Sequence, residues 1–407
     1  MKGAGRLFLA AFGVRLLCGL ALGSFHHPEV WEFEGIANSL LAGQGLVRHH
    51  MGAPYHAYVL PVYPLFCAGL YALTGHSQVV VLLIQCLIGA FAAVQVKAIG
   101  NLVFQDPKIA ILGAWLTAFH PPLILFATRL HSLTLDLFAL LWTLWAWLRL
   151  VRSPRLPESL HAGLAGGFAL LSRGTAVAFL AWAAAVAGWV LRRRPRKILR
   201  VLGLVVLVSG AIVAPWLVRN ARVLHHFPVL ITTDGQSLWQ GNNLQASGSA
   251  YLADGRTVLE TLPPRLMRRL PELDELGQRR LFQEEAGRCI REHPLHAFKL
   301  YLTKLKLFWW AGPQTGLKYP RSYLLTYLTY YTGVLVLAGI GLWRWRFRLV
   351  NPAGMLLIGF PVSVSLLQSM YYVEGRHRWG VEPVLLLLAA AGWMECLNRG
   401  REPHAIA

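Results

Sequence analysis

The sequence predicts an all-α polytopic membrane protein, and three observations carry that prediction. Of its 407 residues, 55% are hydrophobic and only 14% are charged, against about 25% charged in soluble domains. Mean hydropathy is +0.46. The apolar residues gather into runs close to the twenty or so that a helix needs to cross a bilayer. These fall at 5–24, 78–98, 109–127, 131–151, 159–172, 175–191, 199–218, 323–343, 350–372 and 380–397. The composition excludes a water-soluble enzyme, a disordered chain and a coiled coil.

Charge sets the direction of the spans. The chain has 39 Lys and Arg against 19 Asp and Glu, a net +20. In a soluble protein that excess would suggest nucleic acid. Here the cations concentrate in short connections at 152–158, 192–197 and 344–348 and in the tail after 397, with Lys97 and Lys108 flanking another. Cytoplasmic loops of membrane proteins carry such an excess, so no nucleic-acid partner is expected. About ten spans, starting inside with Lys2 and Arg6, return all of these loops and both termini to the cytoplasm. The apolar stretch 58–75 would break that parity as a full crossing, and Pro61 and Pro64 suit an interfacial segment better.

The predicted organisation is therefore a module at 1–218 that includes a first external loop at 25–77, an external region at 219–322, and C-terminal helices with a cytoplasmic tail at 323–407. The first apolar run lacks a small-x-small cleavage site and reads as a retained helix. Within 219–322, PLHAFKLYLTKLKLFWWAG interleaves Lys299, Lys304 and Lys306 with aromatics and leucines, the pattern of an amphipathic helix on the membrane surface. The DG at 234–235 and GNN at 241–243 read as turns. Trp309, Trp310, Tyr319, Tyr323, Tyr371 and Tyr372 mark the aromatic belt. Cys18, Cys67, Cys86, Cys289 and Cys396 are scattered without a CxxC and read as small hydrophobes. His26, His27, His49, His50 and His56 have no compact ligand spacing and read as interfacial.

One set of ionisable residues runs against the orientation trend. Arg173, Arg219, Arg376 and Arg378 fall at external ends of spans, and Arg129 and His131 fall in the external turn between the third and fourth. Glu29, Glu32 and Glu34 in the first loop and Asp136 at the head of the fourth span face the same side. Ionisable groups at membrane depth are costly and point to function. A single Arg there snorkels to headgroups as often as not; a whole set does not. Arginines hold phosphate by paired charge-assisted hydrogen bonds and stabilise charge on a departing phosphate. A carboxylate beside them can take the proton of an attacking hydroxyl or amine. That chemistry suits transfer from a phosphate-linked lipid.

Several stretches resemble a known family. HPEVWEFEGIANSLLAGQGLV is similar to the first-loop signature of C-superfamily (GT-C) membrane glycosyltransferases, in the bacterial group related to protein O-mannosyltransferases and the lipid A aminoarabinose transferase. Further matches follow in order: LPVYPLFCAGLYALTGHS, RLHSLTLDLFALL, ALLSRGTA, PWLVRNARV with ITTDGQSLWQGNNLQASG, and GRHRWGVEPVLLLLAAAGW. The resemblance implies a GT-C-like fold with two large external loops carrying interfacial helices. It implies an enzyme of the bacterial plasma membrane, acting on the outer face, that moves a sugar from a polyprenyl-phosphate donor to an envelope glycolipid, polysaccharide or protein. Glu29 falls on the family's catalytic acid, where Asp is usual, with Glu32 and Glu34 as neighbours. Asp136 falls on its second acid. Arg173, Arg219 and Arg376 or Arg378 fall on its basic positions, and Asn220, Asn242 and Asn243 in its Trp-x-x-Arg-Asn and Gly-Asn-Asn elements. No cofactor is named by these residues, and a role for a divalent ion stays open. Two other readings of the same residues are a carrier or flippase for lipid-linked saccharide and a catalytically inactive envelope-assembly scaffold.

Overall fold

The computed structural model describes residues 2–227, 229–313, 315–317 and 320–399. Tyr319, the tail beyond 399 and the side chain of Lys2, all read above, lie outside the described residues. The first half contains α1 (Lys2–Ala21), α2 (Glu32–Leu41), α3 (Val62–Thr74), α4 (Gln78–Phe104), α5 (Pro107–Ala118), α6 (Pro121–Ala127), α7 (Leu133–Arg152), α8 (Leu156–Ser172), α9 (Ala176–Leu191) and α10 (Pro195–Leu224). The second half contains α11 (Asp234–Gly241), α12 (Pro264–Arg269), α13 (Glu275–Glu292), α14 (Pro294–Trp309), α15 (Arg321–Trp345), α16 (Pro352–Gln368), α17 (Gly375–Trp379) and α18 (Glu382–Arg399). The sole sheet among the described residues is a hairpin, β1 (Arg48–His50) with β2 (Ala53–Tyr55). Its two turn residues, Met51 and Gly52, both have positive φ (46° and 83°), as a tight hairpin turn requires.

This is an all-α multi-pass membrane protein. Each run expected to cross the bilayer coincides with a helix or a helix pair. By length and apolar composition α1, α4, α7, α10 and α15 can cross a membrane, and α5 with α6 makes a sixth span bent by 52°. The bend falls at His120, where Pro121 and Pro122 interrupt the helical hydrogen bonds. Helices α8, α9 and α16 have 17, 16 and 17 residues, roughly 25 Å each. They are a little short of the bilayer core and draw cover from neighbours. At 13 residues, α3 is about 20 Å long, too short to cross.

Sequence-local signals set several boundaries. Ser77, Asp106, Asn351 and Asp274 cap α4, α5, α16 and α13 by accepting first-turn N–H bonds. The main core gathers Trp147, Phe179, Leu357, Phe360 and Leu386 from α7, α9, α16 and α18. Where α15 meets α18 the backbones touch through two glycines. A Cβ at Gly341 would lie 2.0 Å from the Leu388 carbonyl oxygen, and one at Gly392 2.0 Å from that of Leu337. Small residues permit such approach between helices in lipid. Gly341→Leu is expected to part this pair and lower the unfolding midpoint in detergent, at a cost of about 1–3 kcal/mol or more; an unchanged midpoint would refute the contact.

The first loop and the polar region after α10 form one body. The Glu275 carboxylate accepts from the backbone N–H of His56 (2.8 Å) and Ala57 (3.3 Å) and from the Thr232 hydroxyl (2.7 Å). Tyr55 donates to Gln278 Oε1 at 2.7 Å, and Gln278 Nε2 donates to the Met51 carbonyl at 3.1 Å. Two sequence readings change here. Asp234–Gly235 opens α11 and is not a turn, its carboxylate taking two bonds from Arg279 (2.6 and 2.7 Å). Lys304 on α14 does not face the membrane surface: it is buried and donates to the Gly241 carbonyl (2.9 Å) and Asn242 Oδ1 (2.9 Å).

Candidate active site

Four chain segments converge at the end of the bundle where α7 begins. The residues before α2 supply Glu29 and Trp31. The α6–α7 turn supplies Arg129 and His131, the α8–α9 turn supplies Arg173, and α17 supplies Arg376 and His377. A parallel bridge joins the first two segments at Val30 and Leu130, with Leu130 N–H donating to the Glu29 carbonyl at 3.0 Å. That bridge brings the Glu29 carboxylate 3.0 Å from Arg129 Nη2. Trp31 Nε1–H donates to the other carboxylate oxygen at 3.2 Å, so the group is held from two sides.

The Trp31 indole stands between His131 (centroids 4.9 Å, edge-on) and the Arg376 guanidinium, 5.0 Å from the ring centroid. His131 is also enclosed by Phe33 and Phe126. Its Nδ1 accepts the Leu133 N–H at 3.0 Å, so in the neutral ring the proton sits on Nε2. Arg376 pairs with Glu374 at 3.1 Å. Burial pulls its guanidinium down, but Glu374, Tyr372 and Glu32 outweigh that and raise it, so it stays charged. His377 is pushed well below the usual imidazole range, first by burial and then by Arg376 and Arg173. It is neutral, and its carbonyl accepts from Arg173 Nη2 at 3.2 Å.

Asp136 lies in the first turn of α7 and is held by groups other than Glu29. Its oxygens accept from Ser132 (2.9 Å) and Ser172 (2.5 Å), with Arg173 Nη1 at 3.7 Å. It orients Arg173 and makes no hydrogen bond to Glu29. Exposure separates the acids further: the Glu29 side chain is 47% exposed and that of Asp136 5%. Glu34 is buried, accepting from Tyr71 (2.7 Å) and Gln78 (2.6 Å). Glu32 has no hydrogen bond or ion pair among the described residues, and it lies close enough to act on Arg376 and Tyr58.

Not every sequence candidate joins this cluster. Arg219 stacks on Trp216 and donates to the carbonyls of His56 (2.5 Å) and Leu46 (3.4 Å), anchoring the first loop. Asn220 donates to the Val229 carbonyl at 2.7 Å. Asn242 donates to the Leu238 and Met370 carbonyls, and Asn243 to that of Trp239. All three asparagines spend their amides on backbone. Arg378, two residues from Arg376, points the opposite way. It is 4% exposed, pairs with Glu382, donates to the Phe308 carbonyl (2.9 Å) and the Tyr327 hydroxyl (2.7 Å), and lies over Tyr331. Glu382 meets His120 Nε2 at 2.5 Å at the α5–α6 bend. These placements share one feature: a backbone carbonyl or buried carboxylate takes the donor. Sequence reading in turn missed Trp31, Ser132, Ser172 and Tyr372, which carry no signal beyond lying beside charged candidates. Among the described residues no group of three or more His, Cys, Asp or Glu could hold a metal ion.

Lys304 supplies a pH test of the loop packing beside α17. Burial lowers its amine from 10.5 to about 8. The unfolded chain then binds more protons between those values, so stability should rise with pH from about 8 to 10.5. Lys304→Met should flatten that rise in unfolding midpoints taken across the window; a parallel slope would refute it.

No curated protein matches the chain. The solved structure described as ArnT from Cupriavidus metallidurans bound to undecaprenyl phosphate is similar over 97% of this chain and 78% of that one, at 15% identity and a TM-score of 0.48. Residues 55–218 match the family described as dolichyl-phosphate-mannose-protein mannosyltransferase, and so over that stretch the chain is similar to a membrane glycosyltransferase family of the kind its motifs resemble.

Proposed function

We propose that the protein is a membrane glycosyltransferase that moves a sugar from a polyprenyl-phosphate donor to an acceptor on the outer face of the membrane. The carrying observation is that Arg129, Arg173 and Arg376 come from three separate connections to surround His131, with the half-exposed Glu29 carboxylate held beside them by Arg129 and by Trp31, on which Arg376 stacks. The family matched over 55–218 is described by a lipid-phosphate sugar, which supports the donor class. The outward placement follows from the cationic connections at the opposite helix ends.

In this reading Glu29 is the general base. It takes the proton of the acceptor hydroxyl or amine as the new bond to the anomeric carbon forms. The bond from that carbon to the phosphate oxygen breaks, and its electron pair stays on the polyprenyl phosphate. Arg376 and Arg129, each set on one edge by a carboxylate, hold the phosphate by their positive charge. Arg173 frames the pocket, held by Asp136, the Thr175 hydroxyl (3.2 Å) and the His377 carbonyl. Glu32 is placed for the acceptor or for Arg376. Residues 1–218 and α17 thus form the catalytic unit, and 219–322 borders the acceptor side.

The test uses purified protein in lipid vesicles with a polyprenyl-phosphate sugar, reading release of polyprenyl phosphate in the presence of an envelope extract. Glu29→Gln is expected to lower turnover by about 10²–10⁴, the usual contribution of a positioned base, with donor binding retained. Glu32→Gln should act mainly on KM. Full turnover by Glu29→Gln would move the base elsewhere, and absence of donor binding by the wild type would sink the reading.

A further inference from the structure

At the far end of α7, α8 and α10 lies a cavity of about 550 Å³ between the α7–α8 and α9–α10 connections. Arg155, Arg194, Arg196, Lys197 and Arg200 line it, and no carboxylate does. Three neighbouring cations outside the cavity have partners, whereas Arg193 makes no hydrogen bond or ion pair among the described residues. Arg149 pairs with Glu158 at 3.4 Å, Arg152 donates to the Leu102 carbonyl, and Arg192 donates to that of Trp189 at 2.9 Å. Among the described residues the five lining side chains make no hydrogen bond or ion pair. The orientation rule accounts for cations in these connections. It does not account for five of them around one concavity that no carboxylate lines.

Two further features narrow the ligand. Helices α8 and α10 both begin at the cavity, with Arg155 and Arg194 at their cap positions and no side-chain cap on either, leaving the backbone N–H groups of Leu156 and Arg196 for an anion. The wall continues in apolar side chains: Leu156 and Val201 line the cavity, and Leu160 and Leu199, farther along the same helices, are exposed. We propose that this cavity binds an anionic phospholipid, its phosphate diester among the five cations and its acyl chains along α8 and α10. A basic pocket between membrane helices suits such a headgroup, and the apolar continuation favours a lipid over a free phosphate. The site lies one length of α7, about 30 Å, from Asp136, so it is separate from the transfer reaction proposed above. A bound lipid would tie the two connections together from which α8 and α10 start.

The test titrates full-length protein in neutral detergent with phosphatidylglycerol, phosphatidylcholine or inorganic phosphate, counting bound lipid by native mass spectrometry. Wild type should retain phosphatidylglycerol in preference to phosphatidylcholine. The triple variant Arg155→Gln, Arg194→Gln, Arg200→Gln should lose about ten-fold or more in affinity, since each basic residue near a lipid surface contributes appreciably. Arg193→Gln, Arg346→Gln, Arg348→Gln removes equal charge outside the cavity and should change affinity less than two-fold. Arg194→Gln alone, expected to lose about three-fold, serves if the triple variant does not fold. Equal retention of both lipids, equal loss in both triple variants, or displacement of phosphatidylglycerol by an equal concentration of inorganic phosphate would each overturn the proposal.

Discussion

Arg376→Ala is expected to lower donor turnover by about 10²–10³ while leaving the fold intact. Removing one group that stabilises a developing oxyanion costs that much in enzymes that use such groups. The side chain is 22% exposed, so its loss opens no sealed core. Arg376→Lys should recover only part of the rate, because an ammonium cannot reproduce the guanidinium fork. Measured release of polyprenyl phosphate, with unfolding midpoints alongside, checks both statements. A variant at full rate would remove Arg376 from the phosphate site.

Arg378→Ala is expected to do the reverse. The change strips a buried carboxylate, Glu382, of its arginine, leaves the Phe308 carbonyl without its donor and removes the shorter of two donors to the Tyr327 hydroxyl. Removing one partner of a buried pair typically costs about 3–5 kcal/mol, a large part of a marginal stability. The expected result is a sharply lower unfolding midpoint and little folded protein. Arg378→Met with Glu382→Leu should recover much of that loss, since an apolar pair of similar volume carries no stranded charge. A single variant with an unchanged midpoint would refute this. Two arginines separated by a single residue in the chain thus divide rate from stability.

That pair also shows what sequence could and could not tell. Hydropathy and the cationic connections placed every span on a helix, because both are governed by lipid and are local properties of the chain. Opposition to the orientation trend singled out Arg173 and Arg376, which the structure brings together around His131 beside Arg129 and Glu29. The same signal could not separate Arg376 from Arg378, since direction on a five-residue helix is decided by Glu374 on one side and Glu382 with Phe308 on the other. Arg219 and the three asparagines met backbone carbonyls left open by loops whose course no local pattern encodes. Glu275, singled out by no sequence signal, holds the first loop from 219 residues away.

That separation has a consequence for synthesis. The backbone N–H groups of His56 and Ala57 find their acceptor only when Glu275 has been made, about 10–45 s later at ordinary elongation rates. In that interval six of the expected crossings are made while the first loop waits without its partner. A chaperone, the membrane interface or water must satisfy those amides meanwhile. Chains stalled before residue 275 should therefore expose residues 48–58 to protease, and chains released just beyond α13 should protect them.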